Sequence, residues 1–154
     1  MASALSPVRF VIDGTNVLLV HGRAQPELRY VLALCRYLET HSEPFVCFFD
    51  ANTSYLLKEH GNEQFGVFKQ IMQHPTRGDS LNVVPSGTEA DEWILERAKS
   101  DGAHVISNDK YRNRARNHRW IWKRRHPLVG TSDRLIIESL GFEIPVLPAA
   151  GDYL

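Results

Sequence analysis

The sequence predicts a three-layer α/β/α sandwich with a mainly parallel central sheet, on three observations. Four short apolar runs end abruptly in polar or acidic residues: Val8 to Asp13, Phe45 to Asp50, Leu81 to Pro85 and His104 to Asp109. Runs of that length bounded by turn residues read as buried strands. The segments between them carry apolar residues at helical spacing. They are also long enough for parallel crossovers, which gives the order β-α-β-α-α-β-α-β. With 154 residues and 43% hydrophobic content, the chain reads as one domain over residues 1–154. It contains no internal repeat, linker or low-complexity stretch.

The first strand ends in Asp13-Gly14-Thr15-Asn16, and Val17 to Val20 begins either a helix or an extended loop. A helix is expected from Pro26-Glu27, because Leu28, Val31, Leu32, Cys35 and Leu38 recur on one face and Pro suits a first turn. Phe45 to Phe49 forms the second strand. Asn52-Thr53-Ser54 offers capping chemistry for a helix over Tyr55 to His60, and Phe65, Phe68, Ile71 and Met72 mark another that stops near Pro75. After the third strand, Glu89 to Ser100 reads as a helix with Ile94, Leu95 and Ala98 inward, ended by Asp101-Gly102. After the fourth strand, Asp109 stands where a helix starting near Lys110 would want its N-cap. Leu135 to Ile137 and Glu143 to Val146, around Leu140-Gly141-Phe142, suggest a strand pair or a strand plus an edge segment.

Formal net charge is zero, yet the charge is unevenly spread. Lys110, Arg112, Arg114, Arg116, Arg119, Lys123, Arg124 and Arg125 fall in one acid-free segment. That is 8 of the 18 basic residues, which leaves 10 against 18 acids elsewhere. Cys35 and Cys47 sit in apolar contexts and read as small buried hydrophobes of a reduced compartment. There is no secretory pattern and no apolar run approaching ~18 residues, so a soluble, cytoplasmic protein without membrane partners is expected.

Asp13, Asp91 and Asp109 fall at the carboxyl ends of neighbouring strands, with Asp50 a fourth candidate. Ligands collect at that edge in open α/β sheets. Clustered carboxylates repel, and a hard divalent cation such as Mg²⁺ relieves the repulsion, activates water and stabilises charge on a phosphoryl oxygen. The chemistry suggested is metal-assisted phosphodiester hydrolysis. Each acid also has an ordinary structural role open to it: a turn at Asp13-Gly14, a capping box over Thr88-Glu89-Ala90-Asp91, and an N-cap at Asp109. A haloacid-dehalogenase phosphatase would need an Asp at position 11, where this chain has Val11. No Gly-x-Gly-x-x-Gly follows the first strand, which removes the dinucleotide-binding reading.

Two stretches together resemble the NYN domains of the PIN-like ribonucleases, and the regnase group in particular. One is Val11-Ile12-Asp13-Gly14-Thr15-Asn16-Val17 followed by His21-Gly22. The other is Asp91-Glu92-Trp93-Ile94, then Ser100-Asp101-Gly102, then Val105 to Arg112. With a similar tail from Gly141 to Gly151, the likeness spans nearly the whole chain. It implies a PIN-like fold and a Mg²⁺- or Mn²⁺-dependent endoribonuclease. Carried over by position, Asp13, Asp91 and Asp109 would hold the metal, with Asn16 orienting Asp13 or the scissile phosphate. The chain departs from the pattern at Ala90 and Asn113, where regnases carry acids. Asp50, Glu89, Glu92, Asn108 and Asn113 are auxiliary candidates. The departures leave open weaker metal affinity, a single ion, or a site that binds RNA without cutting it.

The segment from Lys110 to His126 interleaves cations with Tyr111, Trp120 and Trp122, a composition suited to single-stranded nucleic acid. Arg112 is the first choice for phosphate contact, followed by Lys110, Arg114, Arg116 and Arg119. At least one tryptophan is expected in the core, and His118 and His126 are expected at the surface. The function expected is cleavage of single-stranded or structured RNA; the alternative is an RNA-binding module with a degenerate acidic site. A homodimer is compatible with the sequence but not required by it.

Overall fold

The computed structural model describes residues 6–74 and 80–154, and a five-stranded, all-parallel sheet lies at its centre. β1 (Phe10–Asp13), β2 (Phe45–Phe49), β3 (Leu81–Val83), β4 (His104–Ile106) and β5 (Arg125–His126) are ordered β3-β2-β1-β4-β5. The chain winds from β1 to one side and then returns to place β4 on the other. The winding therefore reverses between β1 and β4, where a crevice opens at the strands' carboxyl ends. Every residue of β1 and β2 is buried, as strands covered on both faces must be, so their sequences run apolar without alternation.

One face of the sheet packs Phe10, Ile12, Cys47, Phe49 and Ile106 against α1 (Gly14–Leu18), α2 (Arg29–Thr40), α3 (Thr53–Glu59) and α4 (Asn62–Gln73). A second, antiparallel sheet of β6 (Val129–Gly130), β7 (Arg134–Ile137) and β8 (Phe142–Pro145) adds Leu135, Ile137 and Ile144 to this core. The other face packs Val11, Val46, Phe48 and Val105 against α5 (Ala90–Asp101), together with Tyr111 and Ile121. Ile121 belongs to a single-turn helix, α6 (Ile121–Arg124). The tail is thus three strands, not two, because Val129 and Gly130 pair with Ile136 and Leu135.

Several local expectations are corrected. The second helix starts at Arg29 instead of Pro26, because Gln64 of α4 holds the preceding backbone: Leu28 N–H donates to its Oε1 (2.6 Å) and its Nε2 donates to the Pro26 carbonyl (2.9 Å). Asn52 makes no side-chain cap on α3; Thr53 Oγ1 instead donates to the Asp50 carbonyl at 2.7 Å. No α-helix follows Lys110. The Asp109 carboxylate accepts the Tyr111 N–H (2.7 Å), Tyr111 takes a left-handed conformation (φ 51°), and only a 3₁₀ turn over Arg112–Arg114 follows. His118 and His126 are buried. His126 sits in the edge strand β5, its Nε2 2.8 Å from His104 Nδ1 and its Nδ1 2.7 Å from Ser139 Oγ. Trp120 is half-buried beneath the Arg124 guanidinium, whereas Trp122 is 54% exposed. α4 ends at Gln73, and Pro75 lies outside the described residues. Cys35 and Cys47 are both buried thiols. Among the described residues no helix is long and apolar enough to cross a membrane.

Candidate metal centre and RNA face

Three carboxylates meet at the crevice between β1 and β4. Asp13 ends β1, Asp91 lies in the first turn of α5, and Asp109 follows β4. One oxygen from each lies within 4.8 Å of the others. The β1–α1 turn that delivers Asp13 passes close against β2. A Cβ on Gly14 would come within 2.7 Å of Cys47 Sγ and of the Phe49 ring, so only glycine allows that path.

Asp13 is 5% exposed and every oxygen is engaged. Oδ1 accepts the Asn16 N–H (3.3 Å), a helix cap, while Oδ2 accepts the Tyr111 hydroxyl (2.7 Å) and Ser107 Oγ (3.0 Å). Ser107 Oγ also accepts the Asp109 N–H at 3.0 Å. Tyr111 therefore reaches two of the three acids, its hydroxyl on Asp13 and its backbone N–H on Asp109. Tyr111 is fully buried, so it is a support for the site and not a surface for stacking bases. The ordinary role open to Asp91 is not taken up. Thr88 Oγ1 donates to the Pro85 carbonyl (2.7 Å) and accepts the Trp93 indole N–H (3.2 Å), so no capping box forms and Asp91 is free for the site.

The electrostatics follow from this crowding. Burial pushes the Asp13 carboxyl up to about 7, opposed by the bonds from Tyr111 and Ser107, and the Asp91 charge pushes the same way as burial. Asp91 is pushed up to about 6, first by burial and then by Asp109, with Arg114 opposing and Asp50 and Glu89 adding to the rise. Burial and the adjacent Asp13 raise the Tyr111 hydroxyl well above its ordinary value, which keeps it a donor. Three converging carboxylates, with Asp13 and Asp91 both raised, form a set that a hard divalent cation would fit and relieve.

The other candidates divide. The Asn16 side-chain oxygen accepts the Asn108 N–H (2.8 Å), so Asn16 ties the loop after β4 to α1. The Asn108 side chain is turned away to bond both backbone groups of Leu128, at 2.7 and 3.0 Å. Asp50 acts on Asp91 as a charge but is not one of the three converging acids. Arg114 pairs with Glu89, and at 3.5 and 3.9 Å with Glu92 and Asp91, so its charge is spent on the acids. Lys110, Arg112, Asn113, Arg116 and Arg119 are exposed, and no ion pair among the described residues involves these four cations. Ala90, which replaces an acid of the regnase pattern, is the first residue of α5 and is buried in the core. Ser107 and Tyr111 carried no separate sequence signal beyond their place in the run around Asp109.

Comparisons with known proteins bear on the family and the fold. The family model described as the Zc3h12a-like ribonuclease NYN domain matches residues 7–132. A search of curated proteins by sequence finds no match. Among solved structures, the crystal structure of nuclear proteinaceous RNase P 2 (PRORP2) from A. thaliana superposes with a TM-score of 0.62 at 13% identity, covering 92% of this chain and 31% of that one. A second structure, Arabidopsis thaliana nuclear protein-only RNase P 2, gives 0.61 at 16% identity, covering 87% of this chain and 30% of the other. The chain thus spans about a third of the length of these structures, and the likeness extends to the fold, which is PIN-like.

Proposed function

The chain belongs to the Zc3h12a-like ribonuclease NYN domain family, and from that premise we propose that it is a divalent-metal-dependent endoribonuclease acting on single-stranded RNA. One observation carries the reading: Asp13, Asp91 and Asp109 bring oxygens within 4.8 Å of one another at the sheet's switch point. These three would hold Mg²⁺ or Mn²⁺. Bound there, the ion would polarise a phosphoryl oxygen and offset the charge that builds up during hydrolysis. Tyr111 and Ser107 hold one oxygen of Asp13 in place, which fixes the carboxylate's orientation without spending a charge. Asn16 keeps the loop bearing Asp109 against α1. Lys110, Arg112, Arg116 and Arg119 are free to neutralise phosphates, and Trp122 can stack an unpaired base. The two buried cysteine thiols fit a reducing, cytoplasmic setting.

A second reading, an RNA-binding module that does not cleave, is favoured by one observation: Ala90 is packed into the core where the regnase pattern has an acid. Labelled, unstructured RNA incubated with the protein separates the two. The nuclease makes internal cuts with Mg²⁺ or Mn²⁺, stops with EDTA, and loses activity in Asp13→Asn. Cleavage that survives chelation or that substitution contradicts the proposal. Salt-sensitive binding without cleavage under either ion establishes the second reading.

A further inference from the structure

The face of the sheet that carries α5 is only partly covered. The crossovers from β1 to β2 and from β2 to β3 both lie on the opposite face, and α5 packs on β1, β2 and β4. Beyond the part of β2 that α5 covers, no helix packs on β3 on this side among the described residues. A cleft of about 1060 Å³ runs there beside α5. Its floor is formed by the largely buried Val46 and Phe48, its inner wall by Trp93, and its outer lip by Asn82 of the short edge strand and Ser80 just before it. Trp93 is 42% exposed although its ring packs toward Phe48 with centroids 6.1 Å apart.

The charge of the cleft says what can enter. Glu39, Glu43, Glu92 and Glu96 line it; Arg9 holds Glu43 at 3.0 Å and Arg114 lies 3.5 Å from Glu92, while the side chains of Glu92 and Glu96 stay 60% and 67% exposed. Its one lining cation among the described residues, Arg97, is held by Asp101 at 2.7 Å. An apolar trough with an acidic rim repels the RNA backbone, so it is no extension of the acidic site's substrate path. Its length follows β2, five residues or roughly 16 Å, which about 11 residues of α-helix would span.

We propose that this cleft is a docking site for a cationic amphipathic helix of a partner protein. The helix takes the position a further crossover would occupy, lays apolar residues spaced i, i+3/i+4, i+7 on Phe48 and Trp93, and pairs Lys or Arg with Glu92 and Glu96. This is independent of whether the acidic site cleaves RNA.

The probe is a synthetic 12-residue Leu/Lys peptide with its leucines on one helical face. The control is a scrambled peptide of identical composition. In ¹⁵N NMR titration of the wild-type chain, the amphipathic peptide shifts the amides of Val46 and Phe48 and the Trp93 indole N–H, and the scrambled one does not. Glu92→Gln/Glu96→Gln weakens binding several-fold and flattens its salt dependence, while Trp122→Ser leaves it unchanged. Equal shifts with the scrambled peptide, or shifts confined to residues outside the cleft, overturn the proposal. Concentration-dependent self-association that the peptide reverses gives the cleft to a second copy of the chain instead. Stronger peptide binding on removal of residues 1–5 gives it to the chain's own N-terminal segment. Displacement of the peptide by poly-U from the cleft gives it to nucleic acid.

Discussion

Asp13 is a carboxyl group held in the interior with two hydroxyl donors on one oxygen, and its protonation is tied to folding. Its unfolded value is 3.8 and its folded value about 7. A folded pKa above the unfolded one means that the protonated acid favours the folded state. That contribution is intact below pH 3.8 and is lost as pH rises through about 7. Asp91, raised to about 6, adds to it in the same direction. The Tm of the protein in EDTA is therefore expected to fall between about pH 4 and 7, and Asp13→Asn to flatten much of that slope. Added Mg²⁺ should raise Tm more at pH 8 than at pH 5, since it competes with protons for the same oxygens. Tyr111→Phe tests the support. It keeps the ring in the core but removes the donor, and a loss of about 10- to 100-fold in Mn²⁺ affinity or activity is expected, with little change in the unfolding midpoint. Unchanged affinity would reduce Tyr111 to packing. Asp13 and Asp109 were legible in the sequence because each closes a run that begins apolar, and Asp91 because it opens the helix after the third strand. The role of Tyr111 was not, because its hydroxyl's partner lies 98 residues away in sequence and only the β1–β4 pairing brings them together.

At the scale of elements, the turn between β1 and α1 decides where Asp13 stands. Gly14→Ala would press a methyl group against Cys47 and Phe49, and a loss of about 1–3 kcal/mol in denaturant unfolding is expected. An unchanged midpoint would show that β2 yields there. The strands and long helices could be read from the chain, since buried parallel strands and the α2 face leave strong local patterns. The segment after Asp109 could not. Asp109 stands where the N-cap of a helix from Lys110 would fall, but its side chain diverts Tyr111 into a left-handed turn, and β5 and β6 are two residues each, too short for any pattern. The same segment shows why aromatic residues could not be sorted by type: Tyr111 is buried, Trp120 lies under Arg124, and Trp122 faces solvent. Trp122→Ala is accordingly expected to raise KM for unstructured RNA with kcat nearly unchanged, and stacking of ~1–3 kcal/mol sets the scale of the effect. A loss in kcat alone would contradict a binding role.

Across the whole molecule, a neutral chain separates its charge into an acidic site and an adjoining run of free cations. Four of these, Lys110, Arg112, Arg116 and Arg119, carry no ion pair among the described residues. If each meets a phosphate, log affinity for single-stranded RNA should fall against log salt with a slope of about −2.8, and Arg112→Ala should make it shallower by about 0.7. An unchanged slope in that variant would remove Arg112 from the RNA path. Polarity of this kind lets a polyanion approach carboxylates, provided a cation is already among them. The most direct test of that arrangement is a crystal soaked in Mn²⁺ and measured at the manganese edge. An anomalous peak bounded by the carboxylates of Asp13, Asp91 and Asp109 is the expected result. Manganese bound elsewhere, with none among these three acids, would contradict it.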